Sequence, residues 1–225
     1  MRRQFTVLLL TLVLGAFPVS IFGQTSDANE TFVKAYGLYT KGKTSDAKEL
    51  FEKITDPKFR LADYSQYYLA LINYDLANRE QARQILTQLK QRFPQSIWIP
   101  GATLLQAKID IAEKNYGSAE EILRQLRADK SAKREIADEA LYLQAQIREA
   151  QGDPIRAHAL YNTVRDSAPN SRWAAAARKA QVSLRQTFPD LFTFQTIDEL
   201  AAEADRLARE RQTIEAETLY NKLLN

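Results

Sequence analysis

Alanines recurring in pairs constrain this chain more than any other feature. Ala47, Ala82, Ala119 and Ala157 follow one another at nearly constant intervals. Four positions after each comes a large apolar residue (Phe51, Leu86, Leu123, Tyr161), and three further on another (Ile54, Leu89, Leu126, Val164). Apolar residues four and seven positions on from a small one make a stripe along a helix. Twelve positions before each alanine stands a second: Ala35, Ala70, Ala107 and Ala145. A fifth pair, Ala204 and Ala216, is backed by Tyr220 and Leu223 and follows Ala157 only after an interval well beyond one period. The period is that of a two-helix unit, in which small residues let paired helices approach closely while large ones fill the gap to the next pair.

The punctuation between these stripes agrees. Gly42, Asn78 and Gly152-Asp153 fall where the turn inside a pair belongs. Asp56-Pro57, Phe93-Pro94 and Ala168-Pro169 end second helices, since proline cannot continue one. Ser96 and Ser171 follow as candidate N-caps. The long interval between Ala157 and the fifth pair leaves room for an extra helix at about Arg172 to Gln186. The expected fold class is all-α, an α-solenoid of antiparallel helix pairs. Residues 24–171 hold four pairs, and residues 172–225 hold the extra helix and a fifth, uncapped pair.

The alanine pairs, their large partners and the proline turns over residues 28 to 171 resemble the tetratricopeptide repeat. That repeat is a helix-turn-helix unit of about 34 residues. No Trp opens the first helices, and Ala replaces Gly at 35, 70, 107 and 145. The resemblance implies a right-handed superhelix whose first helices line a concave face. It places Phe32, Tyr36 and Tyr39, then Tyr64, Tyr67, Leu71 and Tyr74, at groove-facing positions. Tyrosine gives large contact area, few rotamers and a polar tip, so these residues are the candidate partner-binding groove. Packing between helices accounts for some of them, Phe32 and Tyr67 above all. Phe32 and Tyr36 occupy the places where some relatives carry a Lys/Asn clamp for an acidic tail, so a carboxylate-tail ligand is not expected.

Little else carries chemistry. The formal charge is +3, but setting aside Arg2 and Arg3 lowers the basic count from 31 to 29 against 28 acidic, with no basic stripe. No nucleic-acid partner is expected. Arg2 and Arg3 precede an apolar stretch from Phe5 to Phe17, then Pro18 to Gly23. Residues 1–23 therefore read as an export signal cleaved after Gly23, with a retained anchor as the rival reading. With no cysteine there is neither disulfide, thiolate metal site nor lipid-modified cysteine, so a soluble periplasmic product without stable membrane insertion is expected. His158 is the single histidine and reads as structural, so no metal site and no cofactor are expected. Gly42-Lys43-Thr44 lacks the upstream glycine of a phosphate loop. Glu120-Glu121 and Asp138-Glu139 read as solvated faces, because neighbours on a helix diverge by about 100°. The chain is not expected to be an enzyme.

The last unit ends in Leu219, Leu223 and Leu224 with no polar-faced helix after them, which favours a covering chain, a longer protein or self-association through this helix. An exported run of such repeats over residues 28 to 225 also resembles the N-terminal helical region of soluble lytic transglycosylases. Their Glu-Ser and Gly-Leu-Met-Gln catalytic motifs are absent. The expected function is a periplasmic scaffold for a protein or peptide partner in cell-envelope assembly or maintenance. The alternative is the non-catalytic arm of a murein transglycosylase, acting on peptidoglycan.

Overall fold

The computed structural model describes residues 21–54, 56–130, 132–192 and 196–224, with side chains from residue 27. The export signal read at residues 1–23 falls almost wholly outside these residues. Among the described residues there are eleven α-helices and no strand, and the fold is all-α. The chain divides into two compact units, Met1–Ala62 and Asp63–Asn225.

The first unit is a helix pair, α1 (Ile21–Thr40) and α2 (Thr44–Phe51). Ala35 and Ala47 are fully buried, with Phe51 and Phe59 closing the small core. The second unit repeats this theme: α3 (Ala62–Asp75) with α4 (Arg79–Arg92), α5 (Ile99–Ala112) with α6 (Tyr116–Ala128), and α7 (Arg134–Ala150) with α8 (Pro154–Ser167). A single helix, α9 (Arg172–Thr187), and a 3-10 turn at Pro189–Leu191 precede α10 (Ile197–Arg209) and α11 (Thr213–Leu224).

Each inner turn is built alike. The residue five before the second-helix alanine takes a left-handed conformation: Gly42 (φ 74°), Ala77 (61°), Lys114 (62°), Gly152 (76°) and Arg211 (60°). The next residue's N–H reaches back five positions, as from Asn78 to the Asn73 carbonyl at 2.8 Å and from Asp153 to Arg148 at 2.9 Å. This Schellman closure satisfies carbonyls that the ending helix leaves open and reverses the chain in a few residues. Two of the five positions are glycine, for which a positive φ carries no steric cost. Outer turns differ. Phe93, Ala168 and Phe188 each make one last helical hydrogen bond and are followed by proline, which stops the helix there.

The core is a chain of overlapping clusters, each spanning three successive helices. Ala70, Ala82, Leu86, Leu89, Ala102 and Ile109 join α3, α4 and α5. Ala107, Ala119, Leu123, Ala140 and Ile147 join α5, α6 and α7. Leu141, Ala157, Tyr161, Val164 and Ala177 join α7, α8 and α9. A pair thus completes its core only against the first helix of the next, the nearest-neighbour logic of a solenoid. The alanines at 35, 47, 70, 82, 107, 119, 145, 157 and 204 expose none of their surface, and Ala216 almost none. No described helix is long and apolar enough to cross a membrane.

Candidate functional site

On α1, Phe32 turns into the pair. Its ring meets Phe51 edge-on at 5.7 Å, tilts against Phe59 at 6.2 Å and is buried. Tyr36, one turn on, lies parallel to Phe32 at 6.4 Å and keeps 42% of its surface exposed. Tyr39 is half-buried. Of the three α1 candidates, Phe32 is a core residue and Tyr36 offers the most surface.

On α3 a residue that sequence reasoning passed over organises the site. Trp98, at the start of α5, stacks on Tyr67 at 4.4 Å and meets Tyr64 and Tyr68 edge-on at 5.2 and 5.8 Å. The indole N–H is buried without a hydrogen-bond partner. Gly101 allows this close approach: a Cβ there would lie 2.8 Å from the Tyr67 hydroxyl oxygen. Ser96 donates a hydrogen bond of 2.6 Å to the Asp63 carboxylate and accepts one from the Trp98 N–H at 3.2 Å, which pins the α4–α5 link to α3. Tyr64 and Tyr67 are therefore half-buried in an aromatic cluster, whereas Leu71 and Tyr74 lie half-buried further along α3. Burial raises the Tyr74 phenol above its ordinary pKa, opposed by the charge of Arg79.

The same arrangement recurs two helix pairs further along the chain. Asp63, Tyr67, Pro94, Ser96 and Trp98 correspond in constant register to Asp138, Tyr142, Pro169, Ser171 and Trp173. Tyr142 packs on Trp173 at 5.3 Å and on Tyr161 at 5.6 Å. This doubled period, rather than the single one, is the signal by which Trp98 and Trp173 can be found in the sequence.

Residues 64–96 match the family model of a tetratricopeptide repeat. Among solved structures, a tetratricopeptide repeat protein from Parabacteroides merdae is similar at 14% identity and TM-score 0.53, over 88% of this chain and 79% of that one. A thermophilic TPR protein of Thermus thermophilus matches at 17% identity and TM-score 0.52, over 88% of this chain and 98% of that one. No curated protein matches the sequence. The chain is built on the tetratricopeptide-repeat fold.

On this fold the acidic neighbours on α7 are not a solvated face. Asp138 and Glu139 are both buried, because α9 packs back over the start of α7 and covers them. Glu139 ion-pairs with Lys108 of α5 and lies 3.7 Å from Arg172 of α9. Glu120 and Glu121 differ: Glu120 is half-buried against Arg148 at 3.1 Å, while Glu121 is exposed and paired with Arg124 at 2.6 Å.

A second feature that sequence reasoning missed ties the last helix pair in place. Arg165, on the inner side of α8, is 0% exposed. Its guanidinium donates to Glu203 of α10 at 2.9 Å, to Glu210 at 2.5 Å and to the side chain of Gln181 on α9 at 2.7 Å. Gln181 in turn donates to Asn162 at 2.7 Å and to the His158 carbonyl at 3.0 Å. Around this core Arg206 holds Glu203 at 2.8 Å and Asp166 at 3.1 Å, and Arg209 reaches Asp166 at 2.8 Å. Burial opposes the charge of Asp166, but its hydrogen bonds to the two arginines outweigh that, and its carboxyl lies below the usual range.

His158 stacks on Phe192 at 4.7 Å, and its Nε2 is buried without a hydrogen-bond partner. Burial, with the charge of Arg185 next, pushes its pKa down to about 4. At neutral pH this imidazole is uncharged. Tyr161 is buried and donates to Glu149 at 2.8 Å, so burial first and that bond second hold its phenol well above its ordinary range. Among the described residues no three metal-ligating side chains gather.

Proposed function

We propose that this chain is a cell-envelope interaction scaffold, in which the aromatic faces of α1 and α3 receive an extended protein or peptide segment. The observation that carries the reading is the contrast between the two kinds of helix. Second helices spend their apolar residues on the core, as Ala82, Leu86 and Leu89 do, all buried. First helices α1 and α3 instead leave Tyr36, Tyr39, Leu71 and Tyr74 partly open beside rings already fixed by packing. A tyrosine held by neighbours but open on one side loses little entropy when a partner covers it.

The two faces are proposed as separate patches, one on each compact unit. Phe32 supports the first from beneath, and Trp98 with Tyr64 and Tyr67 supports the second. An envelope location follows from reading residues 1–23 as an export signal. Residues 1–20 lie outside the described structure, so fractionation of cells expressing the full chain tests that part on its own.

The binding test is affinity capture from envelope extract with the full chain and with a Tyr36→Ala/Tyr39→Ala/Tyr74→Ala variant. These three tyrosines lie outside the Trp98 cluster, and a thermal melt of the variant checks that it is folded. Proteins retained by the wild type should be lost from the variant. Equal recovery of every retained protein would sink the aromatic-face reading.

A further inference from the structure

The duplication that relates Trp98 to Trp173 is not perfect, and its one open joint lies where α7, the α8–α9 link and α9 meet. In the first copy the Asp63 carboxylate takes the Ser96 hydroxyl at 2.6 Å. In the second copy the counterpart Asp138 makes no hydrogen bond with any described residue, and Ser171 instead accepts from the Ala174 N–H at 3.1 Å. The cause is the start of the following helix. Pro100 sits in the first turn of α5, which begins at Ile99, two positions later in register than α9, which begins at Arg172 with Ser171 as N-cap. Ser96 precedes its helix and bonds Asp63, whereas Ser171 is the N-cap of α9 and makes no hydrogen bond to Asp138.

What remains is a cleft of about 640 Å³, lined among others by Arg134, Glu135, Asp138, Arg172 and Trp173. That volume is in the range of small-ligand sites. We propose that this cleft is a binding site for a cationic side chain, lysine or arginine, presented by an extended peptide. It uses none of the residues of the aromatic faces and does not depend on them.

The charges argue for a cation. Arg172 is satisfied by Glu135 at 3.0 Å and Glu139 at 3.7 Å, and its guanidinium lies 4.6 Å above the Trp173 ring. Arg134 donates to the Ser167 carbonyl and reaches Asp138 only at 3.9 Å. Asp138, its side chain 12% exposed, thus has the Arg134 guanidinium near it but no hydrogen-bond donor among the described residues, at an open cleft. Burial raises its pKa, Arg134 pulls the other way, and the neighbouring Glu135 raises it again. A mostly buried carboxylate without hydrogen-bond donors gains from an ammonium or guanidinium, because a charge-assisted hydrogen bond is stronger than the limited solvation left to it. Trp173 supplies an apolar wall for the methylene stem of such a side chain.

The test uses the full chain and three blocked peptides, acetyl-Ala-Lys-Ala-amide with its arginine and norleucine analogues. Binding is followed by calorimetry and, in a Trp98→Phe background, by the emission of Trp173 as the remaining tryptophan. The lysine and arginine peptides should bind saturably and shift Trp173 emission, while the norleucine peptide binds about ten-fold more weakly or not at all. Asp138→Asn should weaken the cationic peptides by about ten-fold with an unchanged or higher melting temperature, since the carboxylate it removes is mostly buried and accepts no hydrogen bond from the described residues. Equal affinity for lysine and norleucine peptides, equal affinity in Asp138→Asn, or no saturable binding at millimolar peptide would each overturn the proposal. The norleucine comparison needs no variant, so it decides the matter even if Asp138→Asn fails to fold.

Discussion

His158 shows how one buried ring sets a pH limit. Its folded pKa of about 4 lies below the 6.5 of an unperturbed imidazole, so between these values the unfolded chain binds the extra proton. Stability from this group is therefore complete above about pH 6.5 and is lost as pH falls towards 4. Allowing for the part of the ring that solvent reaches, the loss is about 1–2 kcal/mol. Because the chain has a single histidine, one imidazole resonance followed by NMR reports its titration directly. A midpoint near 6.5 would remove the argument, and His158→Phe should flatten the acid limb of a urea-stability profile. The turn residues make a second case at this scale. Ala77, Lys114 and Arg211 occupy the conformation that glycine takes at 42 and 152. Side chains there meet the backbone, whereas glycine does not. Ala77→Gly and Lys114→Gly should each stabilise by about 0.5–1 kcal/mol in urea melts, the relief of strain exceeding the added freedom of the unfolded chain.

At the scale of helices, the joint between α3 and α5 turns on three residues. Gly101 sits in the first turn of α5, where alanine would favour the helix by about 0.5–1 kcal/mol. Its Cβ would press on the Tyr67 hydroxyl, and stacking on Trp98 keeps that ring from moving aside. Gly101→Ala alone should then be neutral or destabilising by about 1 kcal/mol. In a Tyr67→Phe background the same change should become more favourable by about 1 kcal/mol, a coupling that a double-mutant cycle measures. Additive effects would mean the contact is not felt. The helices themselves are legible from the alanine period, because packing at close approach demands small residues at fixed places. That single period does not reveal this joint, because Trp98 lies outside both apolar stripes and its partners Tyr64 and Tyr67 stand beyond the whole of α4 in the sequence; only the doubled period marks it. Turn positions divide the same way: Gly42 and Gly152 announce themselves, while Ala77, Lys114 and Arg211 carry no local mark of a left-handed backbone.

For the second unit as a whole, what matters is how the α10–α11 pair is held to the helices before it. The earlier pairs share continuous apolar clusters, and the cluster of α7, α8 and α9 includes no residue of α10 or α11. Across that junction Arg165 bonds Glu203 and Glu210, and Arg178 and Arg206 extend the pairing. A charged residue mid-helix reads as solvated in a sequence, and partners 38 and 45 positions away follow no repeat, so this lock is invisible until helices are placed. Its energetics are lopsided. Taking two carboxylates and a guanidinium out of water costs much of what their attraction returns, yet removing one member strands the others. Arg165→Met should destabilise by about 3 kcal/mol, since Arg206 and Arg178 compensate only in part. Hydrogen exchange should show the loss first in α10 and α11, with α5 to α7 retaining protection, because solenoid units depend chiefly on their neighbours. Combining Arg165→Met with Glu203→Leu and Glu210→Met should recover most of that stability, as apolar groups of similar volume then fill the site. If the triple variant stays as unstable as the single one, packing rather than a stranded charge is what Arg165 supplies. If Arg165→Met leaves exchange in α10 and α11 unchanged, the last pair is held by something other than this network.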